Sequence, residues 1–165
     1  MLINIKRLFD VDGEVVPLTD NLDLSDVEHW GVRPFKCPIE IHGEIRNTAG
    51  VVVLTYEADY ATDIPCDRCL ELVHKEYKTK FTHTLVDKLY NEDDEENYIL
   101  VEDGVRNLSE LVSSDIILDL PGKNLCKEDC KGLCPKCGIN LNKETCNCAT
   151  KEVDPRLAPL LELLN

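Results

Sequence analysis

Residues 51–86 read VVVLTYEADYATDIPCDRCLELVHKEYKTKFTHTLV, and this stretch decides the fold. Residues 51–64 are rich in β-branched and aromatic side chains, the composition of a strand. Residues 70–86 alternate, with Val73, Tyr77, Phe81 and Leu85 spaced by four, which puts them on one face of an extended chain. Between the two runs stands Cys66-Asp67-Arg68-Cys69, a CxxC pair at a turn from one strand into the next. A metal ion held there would pin the tip of a hairpin. His74 and His83 fall in the second run on opposite faces by parity, and both read as ordinary strand positions.

Working outward, residues 35–46 alternate at Ile39, Ile41, Gly43 and Ile45, and residues 47–50 (Asn-Thr-Ala-Gly) form a turn signal. Short periodic runs separated by turns predict an antiparallel β-meander or a partly open barrel. Residues 98–101 suggest another short strand. Asn107-x-x-Glu110 resembles a capping box, with Leu108, Leu111, Val112 and Ile116 at helical spacing and Pro121-Gly122 as a stop, so the pattern predicts a helix over 108–119 packed on the sheet. Toward the N-terminus, Leu2, Ile3 and Ile5 suggest a strand and residues 10–13 a turn, while the acidic stretch around Leu22 and Leu24 has no assignable pattern. Trp30, the sole tryptophan, reads as a core or edge anchor, and Cys37 as a small buried hydrophobe in a strand. The fold class expected is therefore α+β, with a Cys-rich module and a short terminal helix after the sheet domain. The domains expected are 1–122, β-rich with one helix, and 123–165, a Cys-rich tail packed on or linked to the first.

The nine cysteines are clustered. Besides Cys37, Cys66 and Cys69 there are Cys126, Cys130, Cys134, Cys137, Cys146 and Cys148. Met1–Phe9 has no apolar core behind Lys6 and Arg7, and no apolar run approaches the roughly 18 residues of a membrane helix, so the expectation is an intracellular chain with reduced thiols. There, cysteines at CxxC spacing point to metal before disulfides. Cys134-Pro135-Lys136-Cys137-Gly138 has the form of a zinc knuckle, in which Pro presets one backbone angle and Gly permits a left-handed turn. The eight clustered cysteines fit two four-cysteine zinc sites. The preferred pairing joins Cys134, Cys137, Cys146 and Cys148 locally and ties Cys66 and Cys69 to Cys126 and Cys130. Cys126 and Cys130 joining the local group, or one zinc with spare thiols, stay open. All-cysteine sites are coordinatively closed, hence structural. The four histidines form no HExxH or HxE signature, and a thioredoxin-like role for Cys66 and Cys69 would want a βαβ context that the chain does not show.

Charge divides the chain. Of 165 residues, 32 are Asp or Glu and 18 are Lys or Arg, a net of −14, which excludes a simple basic glove for nucleic acid. The run at 92–96 is five acids long and reads as a solvated loop or a docking element for a basic protein. Residues 123–156 carry seven basic and five acidic groups, so Lys127, Lys131 and Lys136 are weak candidates for phosphate contact. At the end, Leu157, Leu160, Leu161 and Leu164 make one helical stripe, best started at Pro159, that must dock on the chain's own core or in a partner's groove.

Three segments resemble one known family. Cys66-Asp67-Arg68-Cys69-Leu70 resembles the CxRC(L) element of the YceD family of bacterial and plastid large-subunit ribosomal RNA accumulation proteins. Asn107 to Pro121, ending Asp115-Ile116-Ile117-Leu118-Asp119-Leu120-Pro121, resembles that family's helix with its terminal Leu-Pro. CKEDCKGLCPKCGINLNKETCNC at 126–148, followed by Asp154-Pro155-Arg156-Leu157-Ala158-Pro159-Leu160, resembles its long-tailed Cys-rich branch. The resemblance covers about residues 35–165. It implies a cytoplasmic, non-enzymatic factor for accumulation or processing of 23S rRNA, with a large-subunit precursor, the rRNA or a basic ribosomal protein as partner. Family members without the Cys-rich tail imply that the metal sites stabilise this branch rather than carry the whole function. The alternative from the residues is a zinc-stabilised protein–protein adaptor unrelated to RNA.

Overall fold

The computed structural model describes residues 2–89 and 97–148. The acidic run 92–96 and the leucine stripe of 157–164 lie outside the described residues.

The elements in chain order are β1 (Leu2–Asn4), α1 (Lys6–Asp10), β2 (Val15–Leu22), β3 (Ile39–Thr48), β4 (Val51–Pro65), β5 (Leu72–Val86), β6 (Tyr98–Leu100), β7 (Val105–Asn107) and α2 (Leu108–Asp119). The spine is the long hairpin of β4 and β5, paired antiparallel from Val52↔Leu85 to Pro65↔Leu72. Along β4 every second residue from Val52 to Ile64 is buried, the signature of a strand with one face on the core. β3 and β2 add antiparallel on the far side, giving a five-stranded sheet in the order β2-β3-β4-β5-β6. Among the described residues the sheet stays open, with β2 and β6 at its edges, and no closed barrel forms. β6 departs from the meander because it runs parallel to the end of β5. A parallel partner needs a crossover rather than a turn, which strand-and-turn patterning does not signal. β1 and β7 form a separate two-stranded sheet.

α2 spans the residues its periodicity predicts. The Asn107 Oδ1 accepts from the Ser109 N–H at 3.1 Å as N-cap, and the chain turns out of the helix at Leu120 ahead of Pro121. Leu108, Val112 and Ile116, one helical stripe, are fully buried in the core with Phe35, Ile39, Ile45, Leu54 and Tyr56. Full burial of such side chains contributes roughly 1.5–3 kcal/mol each. Gly43, opposite Tyr56 in the ladder, is required there: a Cβ would fall 2.6 Å from the Tyr56 Cα and Cβ.

Two expectations are corrected. Trp30 is 61% exposed, at the tip of a small turn rather than in the core. Cys37 is exposed in the connection before β3, where Pro38 follows it, so it is neither in a strand nor buried. β2 escaped the sequence reading because its alternation is interrupted by Pro17, Asp20 and Asn21, and α1 because five residues carry too little periodicity.

Candidate metal centres

The CxxC at 66–69 closes the β4–β5 hairpin. The Leu70 N–H donates to the Cys66 carbonyl at 2.9 Å, and the Cys66 N–H to the Glu71 carbonyl at 2.8 Å. The second CxxC repeats this turn: Gly138 N–H to the Cys134 carbonyl at 2.9 Å, and Cys134 N–H to the Ile139 carbonyl at 2.8 Å. Each turn aims its two sulfurs to one side.

The chain after α2 then comes back to the hairpin tip. The Asn124 side chain donates to the Ile64 carbonyl at 2.7 Å, while its N–H donates to the Asp67 carboxylate at 2.7 Å. The Arg68 guanidinium donates to the Cys130 carbonyl at 2.7 Å, and the Leu133 N–H to the Arg68 carbonyl at 3.0 Å. Gly132 lets this happen: its φ is +74°, and a Cβ would lie 2.9 Å from the Arg68 carbonyl oxygen.

These contacts bring together Cys66, Cys69, Cys126 and Cys130 in one group, and Cys134, Cys137, Cys146 and Cys148 in another; within each, all four sulfurs lie within 4.8 Å of one another. Cys66 and Cys130 Sγ are 3.8 Å apart and Cys69 and Cys126 Sγ 3.6 Å. A tetrahedron with metal–sulfur bonds of about 2.3 Å has edges of about 3.8 Å, so the spacing suits an ion, and it is far beyond the roughly 2.05 Å of a disulfide. None of the nine cysteines is disulfide-bonded. The Asn142 side chain donates to Cys130 Sγ at 3.2 Å, the kind of N–H···S contact that orients a ligating sulfur.

The thiols oppose one another electrostatically. Burial pushes the Cys66 thiol up, but backbone N–H groups of Arg68, Cys126 and Cys69 outweigh it and draw its pKa to about 6. Burial and the sulfurs of Cys130 and Cys69 push Cys126 up to about 12. In the second group the Cys137 and Lys136 amides draw Cys134 to about 6, while the Cys137 sulfur and burial push Cys148 up to about 12. Four thiolates this close repel, and a divalent cation is what allows all to ionise together. Both groups are therefore compatible with metal binding in closed, four-sulfur sites.

Lys127, Lys131 and Lys136 are all exposed on the cysteine-rich surface. Lys127 pairs with Asp129 at 3.8 Å; Lys143, at the same surface, pairs with Glu71 of the hairpin tip.

A polar cluster also joins α2 to the sheet. The Asp115 carboxylate accepts from the Tyr56 hydroxyl and contacts His83 Nε2 at 2.6 Å. Asp119 accepts from the Tyr60 hydroxyl at 2.7 Å and the Thr79 hydroxyl at 2.8 Å. Burial first, then the facing carboxylates, raises both phenols well above the usual tyrosine range, so they remain protonated donors rather than nucleophiles. His83 is thus a helix–sheet linker, while His74 on the other face is exposed and bonded to Asp63 at 2.8 Å.

The sequence reading missed Arg68, Asn124, Gly132 and Asn142 as parts of the site. Arg68 stands inside the quoted CxxC, yet its carbonyl target is about sixty residues away, and no local pattern reveals that.

Fold and site define a class: an open sheet with one packed helix, whose longest hairpin is joined at its tip to a module of clustered cysteines. The family model described as "Large ribosomal RNA subunit accumulation protein YceD" matches residues 54–164, from β4 through both cysteine groups. The chain belongs to the YceD family. It is 33% identical over 175 aligned residues to an uncharacterized protein of Mycobacterium tuberculosis (strain ATCC 25618 / H37Rv), covering 99% of this chain and 81% of the relative. A Mycobacterium leprae (strain TN) protein is 26% identical over 148 residues, 87% of this chain and 64% of its own length. The Arabidopsis thaliana "Large ribosomal RNA subunit accumulation protein YCED homolog 1, chloroplastic" is 37% identical over 54 residues, 33% of this chain and 17% of its own. No solved structure matches.

Proposed function

We propose that the chain is a non-enzymatic factor of large ribosomal subunit biogenesis that supports 23S rRNA accumulation or processing in the cytoplasm. It does so by contact with precursor rRNA or a basic ribosomal protein. The observation that carries this reading is the YceD family match across the hairpin, the helix and the cysteine module. The site chemistry agrees with it. Two structural zinc ions, one on Cys66, Cys69, Cys126 and Cys130 and one on Cys134, Cys137, Cys146 and Cys148, leave no open position for a substrate. The sheet part, 1–122, and the tail, 123–165, act as two units joined through the first of these ions. The net charge of −14 favours a basic protein partner for the sheet part, while Lys127, Lys131 and Lys136 offer the tail to phosphate.

The test is sedimentation of the native protein from lysate through sucrose at low and high salt. Co-migration with large-subunit precursors is expected, with loss at high salt. A protein found only at the top of both gradients after mild crosslinking would refute the reading.

A further inference from the structure

The sole tryptophan sits largely in solvent at the tip of a turn. Residues 29–32 make a tight turn, with the His29 N–H donating to the Val32 carbonyl at 2.8 Å and the Val32 N–H returning to the His29 carbonyl at 3.2 Å. Both central residues have left-handed backbones, Trp30 at φ +50° and Gly31 at +75°. Such a turn favours Asn, Asp or Gly, and a bulky residue at its first central position is strained. Most of the residue stays in water, 61% exposed. Among the described residues the indole's one ring contact is His29, with centroids 4.2 Å apart. Strain held at an exposed aromatic marks a contact completed by another molecule.

The surrounding charge selects that molecule. Asp23, Asp26 and Glu28 precede the turn and are exposed, and the nearby Arg33 is paired with Asp26 at 3.6 Å. Phosphate is repelled by such a loop, whereas a guanidinium stacks on an indole face and pairs with a carboxylate beside it. We infer that the Trp30 turn is a docking anchor for an arginine-bearing segment of a basic protein. This rests on the function proposed above and specifies one protein contact within it.

Because Trp30 is the sole tryptophan, its emission reports the site alone. The full chain is titrated at physiological salt with an oligoarginine peptide, an oligolysine of equal charge, and oligouridylate. Oligoarginine is expected to shift the emission and to bind more tightly than oligolysine. Trp30→Gly keeps the net charge and suits the positive φ. It is expected to bind oligoarginine about 3- to 30-fold more weakly, by anisotropy of labelled peptide, and to melt no lower than the parent. Equal affinity of Trp30→Gly, a lower melting temperature, or an emission change with oligouridylate but not oligoarginine would each overturn the inference. Should the glycine variant not fold, the parent's emission still decides, since no shift with oligoarginine overturns it. Failure here leaves the ribosomal reading standing if the parent still co-sediments with precursors, and absent co-sedimentation removes that reading whatever the peptide does.

Discussion

Replacing Cys66 and Cys69 together with serine should loosen the molecule far more than the same change at Cys134 and Cys137. The first group joins residues distant in sequence: Cys69 and Cys126 are separated by 57 positions, and Cys66 and Cys130 by 64. A clip closing a loop of that size removes about 4 kcal/mol of entropy from the unfolded chain, by the relation used for disulfides. For a chain of this size each kcal/mol moves the melting temperature by about 2–4 °C, so the expected drop is about 8–16 °C. The second group closes only the local stretch 134–148, worth about 3 kcal/mol on the same relation and confined to the tail. Its loss should leave melting of the sheet nearly unchanged. Calorimetry and far-ultraviolet circular dichroism follow the sheet, and elemental analysis counts the metal, with one zinc expected to disappear from each double-serine variant. A first-group variant that keeps both ions, or that melts within about 2 °C of the parent, would refute the idea that this cluster staples tail to sheet.

Gly132→Ala should cost about 1–3 kcal/mol, because a Cβ at φ +74° meets the Arg68 carbonyl, and urea denaturation reads it directly. The buried phenols set an alkaline limit. Tyr56 and Tyr60 have folded pKa values raised above the unfolded 10, so stability is unaffected below pH 10 and is lost as pH rises beyond it. Phenolate absorbance at 295 nm should show these two ionising only together with unfolding, and Tyr56→Phe should remove one chromophore from that late step. Changing Lys127, Lys131 and Lys136 together to alanine should weaken RNA binding and flatten its dependence on log salt by about 2 for single-stranded RNA. An unchanged slope would reject the tail as the RNA contact.

How much of this was readable follows from the range of each signal. β3, β5 and α2 were legible because their alternation or helical spacing runs for ten residues or more, and β4 because it is rich in β-branched and aromatic residues. Trp30 and Cys37 misled because residue type predicts burial only on average, and local backbone here turns both outward. Spacing left the partition of the eight cysteines open, and the sulfur positions form the two groups of the preferred pairing. What holds those sets in place was not legible. The Asn124, Arg68 and Asn142 contacts are a few scattered hydrogen bonds, most of them between segments about sixty residues apart, and carry no periodicity.

The two cysteine turns were both legible as CxxC pairs, yet only the second carries the glycine of a zinc knuckle, and their surroundings show why. They share the same pair of backbone hydrogen bonds, and the residue after the second cysteine has a left-handed φ in both, +59° at Leu70 and +75° at Gly138. Glycine holds that conformation without steric cost, while leucine does so at roughly 1–2 kcal/mol. The second turn is held by local backbone contacts, the Leu133–Asn140 bridge and the Leu141 N–H donating to the Gly132 carbonyl at 2.9 Å. Pro135, Lys136 and Cys137 are exposed, and a strained residue there would open the turn. The first turn is fixed from several sides: two long strands enter it, Cys66 and Cys69 are buried, Asp67 is bonded to Asn124, and Arg68 clamps the Cys130 loop. Those contacts outweigh the strain, so leucine is tolerated at position 70 and the glycine that marks such turns is missing. A turn supported by tertiary contacts can thus lose its local signature and keep its geometry, whereas one that stands on local structure must display it.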